Sequence, residues 1–257
     1  MQVSLNISAI KDVPDIVPGD SINNIIGDCL EKDIVKLENG DIISIAHKIF
    51  SKAEGAIINL RDVVPSQEAE NYAKKLNKDP RKVEVILQES SNVIRSFRRE
   101  NQNEGVMICE HRLGFISANA AVDESNVDGI ESVITLPKDP DRSARELKSY
   151  IEDRFKVIVG VIITDTFGRP WRIGQVNVCI GLAGVPATIK EQGKIDAWGR
   201  ELRVTEPAFS DELAAASGLV IQKSSKTPVV LFRGLIWNEE VGVAQNILRK
   251  KQEDMFR

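Results

Sequence analysis

The segment 157–164, VIVGVIIT, constrains the fold of this chain more than any other feature of its sequence. Its residues are mostly β-branched and apolar at consecutive positions, so the segment has no polar face. A run of this length is far too short to span a membrane and is typical of a strand that is buried on both faces of a sheet. The segment therefore predicts an α/β fold whose central strand ends at Thr164, just before Asp165.

The other elements are predicted from apolar spacing and from turn residues. Further strands are expected at 41–50 (half buried), 106–109, 113–117, 176–180 and 228–232. Helices are expected at 67–76, 80–90, 143–155 (capped by Ser143 with Glu146), 205–218 (capped by Thr205) and 239–250. The polar stretch 119–129 is predicted as a loop. No repeat or long linker divides the chain, so we expect one domain over residues 1–257 with a soft boundary at 137–143.

The charge balance and the cysteine spacing exclude several classes of protein. The chain has 34 Lys and Arg against 38 Asp and Glu, so it has no global positive field for nucleic acid or a membrane surface. Cys29, Cys109 and Cys179 are too far apart for a zinc finger, a redox pair or a disulfide framework. No secretory signal is visible at the N-terminus, and we expect a cytoplasmic protein.

Common nucleotide-binding and hydrolase motifs are also missing from the sequence. It contains no GxxxxGK[ST], no GxGxxG after a strand and no GxSxG. A nucleotide would therefore bind on a scaffold that is neither a P-loop nor a Rossmann fold.

Polar residues follow the predicted central strand. Asp165 and Thr166 offer hard oxygen ligands suited to Mg²⁺ or Mn²⁺, and Arg169 and Arg172 offer planar forks that match phosphate. Ligands of α/β proteins bind beyond the carboxyl ends of strands, so this segment is a candidate site. The alternative is that Asp165 caps a turn while the arginines are surface groups.

Other candidates lie in the acidic loop 119–129 and near the predicted strand 41–50. Asp123 and Asn126 could face one ligand, and the alternative is a simple Asx-turn. Lys52 could contact a phosphate or be an ordinary surface lysine. His47 could be an ordinary strand residue, and His111 is predicted to be a satisfied polar group rather than a base.

Several segments, taken together and in order, resemble one known family. They read SKAEG at 51–55, NAAVDESNV at 119–127, ITDTFGRPWR at 163–172, DAWGREL at 196–202 and DELAAA at 211–216, with VVLFRG at 229–234 after them. In this order they resemble the coenzyme F420-0:L-glutamate ligases, also called γ-glutamyl ligases. The resemblance extends over most of the chain, about residues 10 to 236.

The resemblance implies a GTP-dependent ligase with a mixed-sheet α/β fold that forms an intertwined homodimer. Its substrates would be GTP, L-glutamate and coenzyme F420-0, and it would need Mg²⁺ or Mn²⁺, with K⁺ as a further ion. The γ-phosphate of GTP would activate a carboxylate of the coenzyme as an acyl phosphate. The amine of glutamate would then attack to form an amide, and further γ-linked glutamate could follow.

The resemblance also assigns roles to individual residues. Asp123, Asp165 and Thr166 correspond to metal ligands, and the catalytic set comprises Asp123, Asp165, Arg169 and Arg172. The positions that correspond to GTP contacts are Pro14, Asp15, Ile16, Val17, His47, Lys48, Lys52, Asn126, Ile221, Gln222, Lys223 and Ser224.

The chain departs from the family pattern at two places. Residues 222–226 read QKSSK where some members have a glycine-rich stretch with an acid, and Lys223 could meet a phosphate there. Ala121 stands where glycine is commoner, which matters only if that position requires a positive φ. We also expect the stand-alone form, without a fused nitroreductase-like domain.

Two other functions stay open at this point. A relative that joins an amino acid to a different carboxylate would keep the same nucleotide and metal motifs. A non-catalytic nucleotide-binding or assembly protein is the other alternative. Such a protein would have no physical need for a cluster of like charges, so the retained acidic and basic residues argue against it.

Overall fold

A five-stranded mixed sheet forms the centre of the fold. The computed structural model describes residues 4–32, 36–125, 129, 131–221 and 226–254. The strands of the central sheet lie in the order β1 (Asn6–Ile10), β10 (Val229–Arg233), β2 (Asp41–Ala46), β8 (Val159–Arg169) and β9 (Arg172–Ala183). β2 and β8 are parallel and all other neighbours are antiparallel. The mixed α/β class predicted from the sequence is confirmed.

Helices and two smaller sheets surround this centre. The helices are α1 (Ile22–Lys32), α2 (Lys48–Ala53), α3 (Gln67–Leu76), α4 (Pro80–Gln88), α5 (Pro140–Phe155) and α6 (Phe209–Ser217). One small sheet pairs β3 (Ile57–Asn59) with β7 (Ser132–Ile134), and the other contains β4 (Ser90–Phe97), β5 (Val106–His111) and β6 (Ile116–Ala118). No helix in the described part of the chain is long and apolar enough to cross a membrane.

Strand alternation divides the apolar side chains among three cores. Ile43 of β2 packs in the core that contains Leu147 of α5, on one face of the central sheet. The next residue toward the N-terminus, Ile42, faces the opposite core with Leu213 of α6. A third core lies between α3, α4 and β5 and includes Met107. The central sheet is therefore covered on both faces, as its near-continuous apolar strands require.

The predicted ends of two central strands are wrong. β2 stops at Ala46 and is buried from Asp41 to Ile45 rather than half buried, because it lies between β10 and β8. The chain then turns into α2. β8 does not end at Thr164 but continues to Arg169, because β9 pairs with it along that whole length.

Two predicted helix starts are also wrong. α5 begins at Pro140, and its N-cap is Asp139, whose carboxylate accepts the Arg142 N–H at 2.9 Å, so Ser143 is not the cap. α6 begins at Phe209, because Thr205 instead accepts a backbone hydrogen bond from Glu191 in a hairpin-like loop.

The remaining predictions differ from the structure mostly at element boundaries. Helix 67–76 is confirmed, 80–90 ends at Gln88, and the strands predicted at 106–109, 113–117, 176–180 and 228–232 become β5, β6, β9 and β10 with shifted ends. The predicted tail helix 239–250 is wrong. That segment has only a short 3₁₀ turn at Ala244–Ile247, because the Glu240 and Ala244 N–H groups bond to Gly184 and Asp141 instead of to a preceding helical turn.

A partly buried cluster of three charged and polar side chains joins the end of α4 to the end of β5. Glu89 Oε2 lies 3.1 Å from His111 Nε2 and 3.0 Å from Arg112 Nε. His111 Nδ1 accepts the Leu113 N–H, so Nε2 carries the proton and donates to Glu89. Burial opposes ionisation of Glu89, but the bonds from His111 and Arg112 outweigh it and hold the pKa of Glu89 below its usual value. His111 is therefore a satisfied polar group, as predicted.

We expect Glu89→Gln to lower the free energy of unfolding at pH 7 by about 1–3 kcal/mol, because it leaves the buried His111 and the more exposed Arg112 without their shared carboxylate. A lowered folded pKa gives stability that is present above the ordinary pKa of 4.5 and is lost as the pH falls. The difference from the unmodified protein in urea denaturation should therefore decrease progressively as the pH is lowered below 4.5, through the lowered pKa of Glu89 in the folded protein. Glu68→Gln, at an exposed position of α3, is the control, and an equal loss at pH 7 and below pH 4.5 would contradict the assignment.

Candidate active site

A cavity of about 570 Å³ lies where β2 and β8 end. Its walls come from the segment before α1, from α2, from the segment after β6 and from the β8–β9 hairpin, with residues 226–228 closing one side. This is a common size for a small-molecule site. The position agrees with the rule that ligands of α/β proteins bind beyond the carboxyl ends of strands.

The parallel pairing of β2 with β8 brings His47 to Asp165. The His47 N–H donates to the carbonyl of Thr164 at 2.9 Å, which makes it the last bond of the ladder. The ring Nε2 lies 3.2 Å from Asp165 Oδ1 without the alignment of a hydrogen bond, and Nδ1 lies 3.1 Å from Ser51 Oγ. His47 is not an ordinary strand residue, because it stands at the N-terminus of α2.

Asp165 and Thr166 lie inside β8 rather than in a loop after it. The Asp165 carboxylate accepts the Thr166 N–H at 2.7 Å, so the predicted alternative of a local cap is partly realised. The Thr166 hydroxyl donates to Asn177 Oδ1 at 2.9 Å, across the β8–β9 pair. Asn177 lines the cavity and was missed by the sequence analysis. Its one signal is a polar residue between Val176 and Val178, two apolar residues of the strand.

A bulge in β9 lies beside these residues. Ile163 pairs with Gly181 and Thr164 pairs with Cys179, so Ile180 is an extra residue in the ladder. The Cys179 N–H donates to the carboxylate of Asp211 at 2.9 Å, and burial raises the pKa of Asp211. A bulge increases the local twist of a strand pair. This one is therefore expected to increase the twist of the β8–β9 pair just before Asp165.

Asp123 enters the cavity from the opposite side. Its backbone forms a two-bond bridge with Ile134, and its Oδ1 accepts the Ser125 N–H at 2.9 Å, which is the predicted Asx-type turn. The same carboxylate lies 2.5 Å from Lys48 Nζ. Burial opposes its ionisation, but the bonds from Lys48 and Ser125 outweigh this and hold the pKa of Asp123 well below its usual range. Asp123 is therefore both a turn residue and a charged group of the cavity.

Three consecutive residues before Asp123 adopt left-handed backbone conformations. The φ angles are 52° for Asn119, 49° for Ala120 and 57° for Ala121. Left-handed residues other than glycine cost about 1–2 kcal/mol each. Position 121, where the family resemblance implies a glycine, thus has the positive φ at which glycine is favoured. Asn119 and Ala121 also line the cavity.

The structure brings most of the predicted site residues together. Those that line the cavity are Pro14, Asp15, Ile16, His47, Lys48, Lys52, Asp123, Asp165, Thr166 and Ile221. Val17 is adjacent but not part of the wall. Arg169 and Arg172 pair with each other near the end of the β8–β9 hairpin and are not part of the wall either. Asn126, Gln222, Lys223 and Ser224 lie outside the described residues.

The donor atoms of the cavity fit a divalent ion only if a substrate contributes to its coordination. The described part of the chain holds no cluster of three or more His, Cys, Asp or Glu residues that could bind a metal alone. Asp123, Asp165 and the Thr166 hydroxyl are hard oxygen donors, and Mg²⁺ is commonly held by one or two carboxylates together with substrate phosphates. His47 Nε2 and Ser117 Oγ are buried at the wall without a hydrogen-bond partner among the described residues, which also indicates a polar ligand.

The fold and the cavity define an α/β protein with a pocket lined by charges of both signs. Comparison with known proteins is more specific, because the family model for F420-0:Gamma-glutamyl ligase matches residues 11–234. The chain belongs to this family.

Curated relatives agree with the family match. The coenzyme F420:L-glutamate ligase of Methanopyrus kandleri is 45% identical over 93% of this chain and 92% of its own length. The coenzyme F420:L-glutamate ligase of Methanocaldococcus jannaschii is 40% identical over 86% of this chain and 86% of its own length. That of Methanothermobacter thermautotrophicus is 39% identical over 99% of this chain and 100% of its own length.

We expect Ala121→Gly to raise the free energy of unfolding by about 0.5–1 kcal/mol, since removal of the left-handed penalty exceeds the entropy that glycine loses on folding. Ala215→Gly, in α6 at an ordinary helical position, should instead lower it by a similar amount. Urea denaturation of both variants measures the two changes. Destabilisation of both by the same amount would contradict the positive φ of Ala121.

Proposed function

We propose that this protein joins L-glutamate to a carboxylate of coenzyme F420-0 at the expense of GTP. The observation that carries the proposal is the cavity in which Asp123 and Asp165 face three basic residues of one short stretch, His47, Lys48 and Lys52. Membership of the γ-glutamyl ligase family and the names of the curated relatives support a ligase that acts on this coenzyme and glutamate.

The chemistry requires activation of a carboxylate, because a carboxylate does not react with an amine in water. In the proposed reaction a carboxylate oxygen of F420-0 attacks the γ-phosphorus of GTP and GDP leaves. The amine of glutamate then attacks the acyl carbon, phosphate leaves with the C–O bond electrons, and the amine loses a proton. The products are an amide, GDP and phosphate. A second glutamate can then be added through its amine, after the γ-carboxylate of the first glutamate has been activated in the same way.

Residues of the chain would hold the charges of these substrates in place. Lys48 and Lys52 lie one helical turn apart on α2 and face the cavity, where they could bind phosphate oxygens. Asp123, Asp165 and Thr166 would hold Mg²⁺ or Mn²⁺ beside the nucleotide. A divalent ion there would offset the repulsion between phosphate and carboxylate. A role for K⁺ and a cytoplasmic location stay predictions.

We expect the purified protein, given GTP, Mn²⁺, L-glutamate and F420-0, to form a product heavier by one or more glutamyl units, with release of GDP and phosphate. Mass spectrometry of the coenzyme measures the added mass. Turnover of GTP without a glutamyl product would instead indicate a relative that joins an amino acid to a different carboxylate. Absence of both would overturn the proposal.

The matched variants for this assay are Asp165→Asn and Asp153→Asn. Asp165→Asn keeps the side-chain volume but removes the negative charge that would bind the proposed metal ion. Activity should therefore fall about a hundredfold or more. Asp153 lies at an exposed position of α5, and its variant should keep full activity. Both should unfold at the temperature of the unmodified protein. Undiminished turnover of Asp165→Asn at low Mn²⁺ would refute its role as a ligand.

The second part of the proposal is a homodimer that uses the far half of the β8–β9 hairpin. That half leaves the core: burial decreases along β8 and is lost at the start of β9. Ile173 near its end is fully exposed, and Trp198, in a loop held by backbone bonds such as Asp196 N–H to Arg200, is 88% exposed. Exposed apolar groups on projecting segments suit a protein interface. Arg169 and Arg172 on the same hairpin would then face a partner's substrate.

Light scattering should give a particle of twice the 28.5 kDa chain mass. Ile173→Asp places a charge in the proposed interface and should shift the protein to the monomer at micromolar concentration. Val64→Asp changes a residue that is also highly exposed, at 87%, but lies just before α3, and it should leave the dimer intact. A monomer in the unmodified protein, or equal effects of both variants, would refute the interface.

A further inference from the structure

Lys48 has an unusually complete set of oxygen partners. Its Nζ lies 2.5 Å from Asp123 Oδ2, 2.9 Å from the carbonyl of Ser125 and 2.7 Å from the Ser125 hydroxyl. An ammonium group has three protons, and each of them has an acceptor here. The partners lie 75 and 77 residues away in the sequence, so this arrangement is a tertiary contact of the cavity rather than a local turn.

These oxygens are also the kinds of atom that bind a divalent ion. A carboxylate, a backbone carbonyl and a hydroxyl are all hard donors. Asp123 is further occupied by the Ser125 N–H and O–H groups, at 2.9 and 2.7 Å. An ion that approaches Asp123 therefore meets a carboxylate whose charge is already neutralised, with a positive charge beside it.

The second carboxylate lacks such a partner. Asp165 has the ring of His47 at 3.2 Å, out of hydrogen-bond alignment, and the Thr166 N–H of its own strand. His47 and Lys48 are consecutive, so the N-terminal end of α2 contacts both carboxylates. Only Asp123 is paired with the ammonium group of Lys48. Asp123 is thus the ligand whose availability Lys48 can control.

We propose that Lys48 is an internal cation that blocks Asp123 until a nucleotide arrives and thereby couples the binding of metal to the binding of nucleotide. This inference rests on the proposed function. Phosphate oxygens entering the cavity offer Lys48 a new anionic partner, and its release from Asp123 opens that carboxylate to the divalent ion. Metal alone binds weakly, because it must displace the ammonium without compensation. By linkage, metal and nucleotide each strengthen the binding of the other.

The test is the affinity for Mn²⁺ in the absence of nucleotide, measured by the electron paramagnetic resonance signal of the free ion. Lys48→Met removes the ammonium and keeps much of the side-chain length. We expect it to bind Mn²⁺ at least about tenfold more tightly than the unmodified protein, within the usual range of coupling between two sites. Addition of Asp123→Asn to Lys48→Met should abolish that gain.

Lys52→Met is the matched control. It removes the same charge from the same cavity, one helical turn along α2, and the contacts of Lys48 with Asp123 do not involve it. Its Mn²⁺ affinity without nucleotide should change by less than about threefold, because the only change is the loss of one positive charge from the electrostatic field of the cavity. If Lys48→Met binds Mn²⁺ no more tightly than Lys52→Met, the inference is wrong.

A second measurement follows Lys48 in the unmodified protein, and the variant is needed only to assign its signal. In protein labelled with ¹⁵N-lysine, the Nζ signal missing from Lys48→Met identifies Lys48. A non-hydrolysable GTP analogue without metal should shift this signal. A signal that the analogue leaves unchanged, both alone and with diamagnetic Mg²⁺, would overturn the inference. Binding of Mn²⁺ to no form of the protein, even with nucleotide, would instead refute the metal in the proposed function, and the inference with it. Neither readout uses F420-0 or glutamate, so failure of the ligase assay alone stays distinguishable.

Discussion

The parallel pairing of β2 with β8 is the interaction on which the rest of the candidate site depends. Its register places Ala46 beside Thr164, and one more bond joins the His47 N–H to the Thr164 carbonyl. Beyond this point the two strands diverge. The segment after β2 turns into α2, while β8 continues beside β9. The cavity opens where they separate, and the polar residues that follow each strand become neighbours although they are more than a hundred positions apart in the sequence.

Charges of both signs are placed in this opening, in a chain whose net charge is only −4. Lys48 and Lys52 of α2 supply basic groups, and Asp123 and Asp165 come from two other segments. Asp15 and Lys226, also at the wall, form an ion pair of their own at 2.9 Å. Without ligands the opposite charges neutralise each other, as the pair of Lys48 and Asp123 shows. Such a cluster avoids the repulsion of like charges in a partly buried site. It also leaves each sign available for a different kind of ligand, cations for phosphate and carboxylates for a metal ion.

Local patterns in the sequence were enough for the class of fold and for much of the site. The strand 157–164 was predictable because burial on both faces leaves an unmistakable apolar run, and helix 67–76 because its apolar spacing and its Ser66 cap are local. Predictions failed where a distant partner decides the structure. The continuation of β8 depends on β9, and the tail segment bonds to Gly184 and Asp141 instead of forming a helix. For the same reason the pairing of Lys48 with Asp123 could not be read from the sequence.

The third core, between α3, α4 and β5, belongs to the long segment that joins β2 to β8 and contains two small sheets. Asp123 follows three left-handed residues, a conformation that persists only where the surroundings enforce it. Ala120, in the middle of them, is fully buried among side chains of α3, α4 and β5, and the Asn119 side chain accepts the Met107 N–H. On the other side, Lys82 of α4 holds Glu124 at 2.6 Å. Packing of Ala120 before Asp123 and the ion pair of Glu124 after it thus offset the backbone strain and hold this carboxylate at the cavity wall. The smaller core therefore serves the site as well as the fold, because without it nothing in the central sheet would hold Asp123 in the cavity that Asp165 also lines.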